Sequence, residues 1–333
     1  MIRFFKLALI FCLSLFLLSA GGNLAQVDSV KNPLFSDLFP ALYFSGPYQD
    51  WVLQEGGKPY WAPTELEEYK RLLDQARPFF LNNDVVAFYG HPLSKNMGIL
   101  GRYEIDELNT LLNTVAAEYR EASGQRGILK AFYIIYGTVQ PKGEIGYIPD
   151  SLLQTYIRFA LEHKMLVFID HQIGRYDPVE SLKLMLPYLH YPNVHLALDP
   201  EWRTEKPMQQ IGSITAEEIN QAQELISSYL EKYHLAGERM LVIHQFHHSM
   251  IQDRMDVKTG YKRVTLIHCA DGFGNPALKR STYSYLSQAK NMPVKGFKLF
   301  YNFDIPGAGY DDPLLTPQEV YDLDPRPCMI MYQ

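Results

Sequence analysis

Eight short apolar runs, each separated from the next by a segment of helical or polar character, recur along residues 85–333 and constrain this chain more than any other feature. They cover 85–91, 128–138, 165–172, 194–201, 240–246, 264–271, 296–304 and 328–332. Runs this short and this apolar suit strands buried on both faces, and their alternation with helices predicts a parallel sheet covered by helices. Eight such units predict an α/β fold of the (β/α)8 TIM-barrel type. The main alternative, a doubly wound open sheet, would carry a glycine-rich dinucleotide turn after its first strand, whereas Tyr89-Gly90-His91-Pro92 has a single glycine.

The intervening segments agree with this reading. Ile105, Leu108, Leu111, Leu112 and Val115 recur at helical spacing, as do Ile214, Ile219, Ala222, Leu225, Ile226 and Leu230. In the second segment Ser213 and Thr215 precede Glu217 and Glu218, which is a capping residue followed by negative charge where a helix N-terminus favours it. Further helices are predicted over 151–163, 179–190, 249–257, 276–290 and 317–323.

Ahead of the repeat, Arg3 and Lys6 precede the uncharged run 7–18, and small residues follow at Ser19, Ala20, Gly21 and Gly22. That order predicts a signal peptide over residues 1–25, cleaved near Ala20 or Ala25, and a secreted or periplasmic protein with no stable membrane span after cleavage. Residues 26–84 are read as an N-terminal extension packed on the barrel, with one helix over 64–80, and residues 85–333 as the barrel itself. Once the signal is removed, Cys269 and Cys328 remain, too few for a disulfide framework, and both are expected to be buried thiols. With 31 Lys+Arg against 37 Asp+Glu the net charge is −6, which argues against a nucleic-acid partner.

The functional signal is positional. In barrels of this kind the active site lies at the C-terminal ends of the strands. Those ends here hold Tyr89 and His91; Tyr136; Asp170, His171 and Gln172; Asp199, Glu201 and Trp202; His244 and Gln245; His268 and Asp271; Tyr301, Asn302 and Asp304; and Tyr332. In the fourth run, period-two alternation sends Leu196 and Leu198 toward the helices and Ala197, Asp199 and Glu201 toward the axis. Two carboxyls in one cavity raise each other's pKa and can divide acid and base roles. The competing structural reading has Asp199 capping a loop and Glu201 paired with Arg203 or Arg175.

Leu198-Asp199-Pro200-Glu201 resembles the Asp-x-Glu ending of the fourth strand in barrel glycoside hydrolases, including chitinase-like and lysozyme-like families. The resemblance implies a Glu that donates a proton and an Asp that assists. Tyr89-Gly90-His91-Pro92, Asp199-Pro200-Glu201-Trp202, His244-Gln245-Phe246 and Asp271-Gly272-Phe273-Gly274 together also resemble exported bacterial TIM-barrel proteins of the cell-wall-associated type.

The expectation is therefore hydrolysis of a glycosidic bond in a cell-wall or environmental polysaccharide, without a cofactor. Glu201 would be the general acid, Asp199 its assistant, and Asp304 or Asp170 the nucleophile or base. His91, Tyr89, Tyr136, His171, Gln172, Trp202, His244, Gln245, His268, Asp271, Tyr301, Asn302 and Tyr332 would bind the carbohydrate. Two alternatives accompany it. In one, His91, His171, His244 and His268 hold Zn or Mn for hydrolysis of a phosphodiester or amide, His244 and His268 resembling part of the amidohydrolase arrangement. In the other, the barrel binds carbohydrate without catalysis.

Overall fold

The computed structural model describes residues 83–333, apart from 125 and 236. The expected signal peptide, nearly all of the extension and its helix over 64–80 lie outside the described residues.

Eight parallel strands close into a barrel: β1 (Asn83–Gly90), β2 (Gly127–Val139), β4 (Leu166–His171), β5 (Val194–Leu198), β7 (Arg239–Gln245), β9 (Val264–Ala270), β10 (Lys295–Leu299) and β11 (Met329–Tyr332). Closure is made by β1, which pairs in parallel with both β11 and β2, for example Ala87 with Met331 and with Ala131. The short strand β3 (Ile145–Tyr147) pairs antiparallel with the end of β2, and β6 (Ile214–Thr215) pairs with β8 (Ile251–Gln252) in a separate two-stranded sheet.

The barrel is covered by α1 (Ile105–Ser123), α2 (Asp150–Glu162), α3 (Pro178–Lys183), α4 (Ala216–Lys232), α5 (Pro276–Ser287) and α6 (Pro317–Tyr321). Helix α1 buries Leu108, Leu112, Ala116 and Tyr119, one stripe at three- and four-residue spacing, and carries Asp106 and Glu107 in its first turn. Helix α4 starts with a capping box: the Thr215 hydroxyl accepts from the Glu218 N–H at 3.2 Å and the Glu218 carboxylate accepts from the Thr215 N–H at 2.8 Å.

Several boundaries differ from the sequence reading. The helix expected over 179–190 is α3 followed by a separate 3-10 turn, Leu186–His190, with Pro187 at its start. The segment 249–257 is not an α-helix but two 3-10 turns around β8, with Asp253 at φ 52° breaking the run. Strand β5 stops at Leu198 because Pro200 has no N–H to continue the ladder. Strand β10 stops at Leu299, and the Phe300 N–H turns instead to the Asp311 carboxylate at 3.0 Å. Cys269 is fully buried, whereas Cys328 is only half-buried.

Two apolar layers follow from the alternation. Val85, Ala87, Tyr133, Phe168, Ala197, Val242, Ile267 and Met331 fill the barrel axis, while Val86, Phe132, Val167, Leu196, Leu198 and Ile243 face the helices.

Candidate active site

Asp199 and Asp271 each sit one residue beyond a strand, with the backbone still tied to the neighbouring strand. The Asp199 N–H donates to the His171 carbonyl at 3.0 Å, and the Asp271 N–H donates to the Gln245 carbonyl at 3.1 Å. Both side chains therefore continue the inward parity of Ala197 and Cys269. Ala270 is paired with Phe297, so the next positions, Asp271 and Lys298, emerge side by side on the inner face.

The result is a chain of buried ionisable groups across the C-terminal end of the barrel. Lys298 Nζ lies 3.1 Å from Asp271 Oδ1 and 3.8 Å from the centre of the Tyr89 ring. Asp271 Oδ2 lies 3.0 Å from His244 Nδ1, and His244 Nε2 lies 2.7 Å from the Tyr133 hydroxyl. Tyr89 donates its hydroxyl to Asp170 Oδ2 at 3.0 Å, and that oxygen stands 3.8 Å from His244 Nε2. One oxygen of Asp170 and one of Asp199, Oδ1 in both, is buried and accepts no hydrogen bond.

Burial and mutual repulsion set the protonation states. Four carboxyls (Asp170, Asp199, Asp271 and Glu201) share the site with two cations, His244 and Lys298, so the acids outnumber the positive charges that favour their ionisation. Burial pushes Asp271 up, but the charge of Lys298 and the close contact with His244 more than reverse this and hold it well below the usual carboxylate range. Burial raises Asp199 to about 7, His244 opposing and Asp170 and Asp271 adding to the rise. Burial also raises Glu201 well above its ordinary value, helped by the charges of Asp199 and Asp271. Asp170 rises by burial, against the pull of His244 and Lys298.

Glu201 stands on the 3-10 turn Pro200–Trp202 rather than on the strand, half-buried, with its carbonyl accepting from the Gly212 N–H at 2.7 Å. Neither arginine weighed as its partner is engaged with it. Arg203 binds Glu218 at 2.6 Å and Arg175 lies 3.6 Å from Glu144. Asp199 occupies the N-cap position of that turn but its side chain caps nothing.

Other expected site residues are placed elsewhere. His268 and Gln245 point away from the axis: His268 Nε2 and Gln245 Oε1 are 2.8 Å apart, and His268 Nδ1 is 3.1 Å from Lys295 Nζ, which also donates to the Leu286 and Ala289 carbonyls of the α5 segment. Gln245 adjoins the inward-facing His244, and alternation lets only one of two neighbours face the axis. His171 accepts the Ile173 N–H at 2.8 Å and packs against Tyr136 and Tyr147, where burial lowers it to about 4. Gln172 accepts the Val139 N–H at 2.8 Å, and the half-buried His91 accepts the Leu93 N–H at 3.1 Å.

Tyr136 packs on Tyr188 outside the strands. Tyr332 faces the helices, its hydroxyl 2.9 Å from that of Tyr119, and stacks on the half-buried Tyr301 with ring centres 5.1 Å apart. Trp202, half-buried, follows Glu201 on its turn. Asn302 and Asp304 are exposed in the loop after β10, the Asp304 N–H donating to Asn302 Oδ1 at 2.9 Å. The four imidazoles of the metal alternative thus point in different directions. Among the described residues, no three His, Cys, Asp or Glu side chains are arranged to hold a metal ion. Two members of the cluster, Tyr133 and Lys298, were not singled out in the sequence, although their parity with Ala131 and Gly296 marks both as inward.

No family model matches the chain, and no curated protein matches it. Solved structures with some likeness include a GH138 enzyme targeting pectin rhamnogalacturonan II, at TM-score 0.42 and 12% identity over 75% of this chain and 34% of that one. A putative alpha-L-fucosidase from Bacteroides thetaiotaomicron has TM-score 0.41 and 9% identity over 76% and 88% of the two chains. The GH18 chitinase ChiB of Flavobacterium johnsoniae has TM-score 0.37 and 10% identity over 75% and 87%. The chain spans about a third of the length of the first of these. Scores this low carry no weight for fold or reaction, and the TIM barrel rests on its own strand pairing. Among the described residues no helix is long and apolar enough to cross a membrane.

Proposed function

We propose that this chain is an exported glycoside-hydrolase-like enzyme that cleaves a glycosidic bond in a cell-wall or environmental polysaccharide. The observation that carries the reading is the pair Asp199 and Glu201 at the barrel mouth, both raised toward the protonated form by burial and by neighbouring carboxyls, above a floor of fixed charges. Glu201, the more exposed of the two, gives its proton to the departing oxygen as the glycosidic C–O bond breaks. Asp199, ionised in that step, faces the positive charge that develops on the sugar. Water supplies the new hydroxyl, and its surplus proton returns to the carboxyl pair. Asp170 is fully buried beneath them and shapes their charge, and Asp304, exposed in its loop, stands outside this scheme.

The test is Glu201→Gln, assayed for release of reducing ends across a panel of cell-wall and environmental glycans. Turnover should fall by about 10²–10⁴-fold, the span assigned to a general acid, while sugar binding measured by calorimetry survives. Undiminished turnover in that variant overturns the assignment. Wild-type binding with no turnover on any glycan would make the barrel a carbohydrate-binding module.

A further inference from the structure

His244 is the centre of the cluster but has no part in the reaction just described. It is fully buried: Nε2 lies 2.7 Å from the Tyr133 hydroxyl, and Nδ1, which makes no hydrogen bond, lies 3.0 Å from Asp271 Oδ2 as an ion pair. The Tyr133 ring meets the imidazole edge-on with centres 5.6 Å apart, so the ring is held against rotation from two sides. Such an Asp–His–Tyr line has two chemical meanings. A neutral ring would accept the Tyr133 proton and act as a base, whereas a doubly protonated ring donates to Tyr133 and acts as a fixed charge beside Asp271.

We propose that Asp271 is a positioning residue that, kept ionised by Lys298, holds His244 as a permanent positive charge, ion-paired with Asp271 and donating to Tyr133, at the floor of the site. Around His244 stand Tyr89 on β1, Tyr133 on β2, Asp170 on β4, Asp199 and Glu201 after β5, Cys269 on β9, Asp271 after β9 and, beyond Asp271, Lys298 on β10; the carboxyls favour a charged ring and the Lys298 charge opposes it. Asp271 lies between two cations, Lys298 at 3.1 Å and His244 at 3.0 Å, and a carboxylate in that position gives up its proton readily. Burial alone would discharge the imidazole, but the close contact with Asp271 and the nearby charges of Asp271 and Asp170 outweigh it.

The consequence reaches the reacting groups. With Nε2–H donated to the Tyr133 oxygen, the Tyr133 hydroxyl keeps its own hydrogen, and the charges of Asp170 and Asp199 bear on it. The fixed charge eases ionisation of Asp199 while Glu201, farther toward solvent, keeps its proton. The use assigned to this charge rests on the glycosidase reading; the charge itself does not.

The test is ¹⁵N NMR of the histidine rings in the full chain, with the His244 signal identified by its loss in His244→Gln. The wild-type ring should carry protons on both nitrogens at pH 7, where an ordinary imidazole has mostly lost one. In Asp271→Asn the ring should become neutral by pH 7. A wild-type ring that is neutral at pH 7, or an Asp271→Asn ring still charged at pH 8, overturns the inference. The wild-type spectrum decides the charge state even if the variant does not fold. Failure of Glu201→Gln to abolish turnover would remove the glycosidase reading and leave this spectrum as it is.

Discussion

Replacing Asp199 with Asn should change how the stability of the fold depends on pH. Asp199 is 2% exposed, and burial among like charges raises it from 3.8 to about 7. An acid whose folded pKa lies above its unfolded value binds its proton more tightly in the folded chain. Its contribution to stability is complete below about pH 4 and is lost as pH rises through about 7. At about 1.4 kcal/mol per pH unit, the interval from 3.8 to about 7 corresponds to roughly 4 kcal/mol. Urea unfolding of the wild type and of Asp199→Asn at pH 4, 5.5, 7 and 8 reads this proton together with its coupling to Glu201 and Asp170, the groups elsewhere being common to both chains. The variant should gain on the wild type by about 4 kcal/mol between pH 4 and pH 8, with a local slope approaching 1.4 kcal/mol per pH unit. Parallel stability profiles would show that Asp199 titrates as it does in the unfolded chain and would refute the reasoning.

Lys298→Met should cost about 3–5 kcal/mol at pH 7 in the same assay, since it strips a buried carboxylate of one counterion, and a loss below about 1 kcal/mol would contradict the pairing with Asp271. Gly174→Ala should destabilise by about 1–3 kcal/mol, measurable as a lower Tm, because Gly174 has φ 65° and an added Cβ would lie 2.2 Å from the Gly143 carbonyl oxygen. His268→Leu should also lower Tm, by an amount corresponding to about 1–3 kcal/mol, since Lys295 and Gln245 each lose a buried partner; an unchanged Tm would deny that chain a structural role. Dialysis against a chelator should leave glycan hydrolysis unchanged, because the imidazoles first considered as ligands do not converge. Loss of activity restored by Zn²⁺ or Mn²⁺ would bring back the metal-dependent alternative.

The barrel was legible because its signal is redundant. Eight apolar runs separated by polar and amphipathic segments allow few topologies, and each strand is buried whatever its neighbour's register. The inward side of Asp199 was legible for a local reason, since Leu196 and Leu198 fix which parity of the fourth strand faces the helices, whereas Glu201 lies on the 3-10 turn beyond the strand, where that parity no longer applies. The same logic applied to Lys298 would have found it, as a lysine within an apolar strand on the inward parity.

What the sequence by itself determined is therefore the set of strands, their order and, where alternation is unbroken, the side each residue faces. It did not determine which strand ends stay extended or which polar residues meet. His244 and Gln245 are adjacent, as are Asp170 and His171, and a list of polar strand ends cannot tell which of each pair faces inward. Asp304 left the mouth because β10 ends five residues earlier, where Asp311 captures the Phe300 N–H. Only the tertiary structure brought Lys298, Asp271, His244 and Tyr133, from four different strand segments, into contact within one buried volume. Their charges act on one another there because the closed barrel excludes water, and the strand register that aligns them depends on long-range pairing that no local sequence pattern encodes.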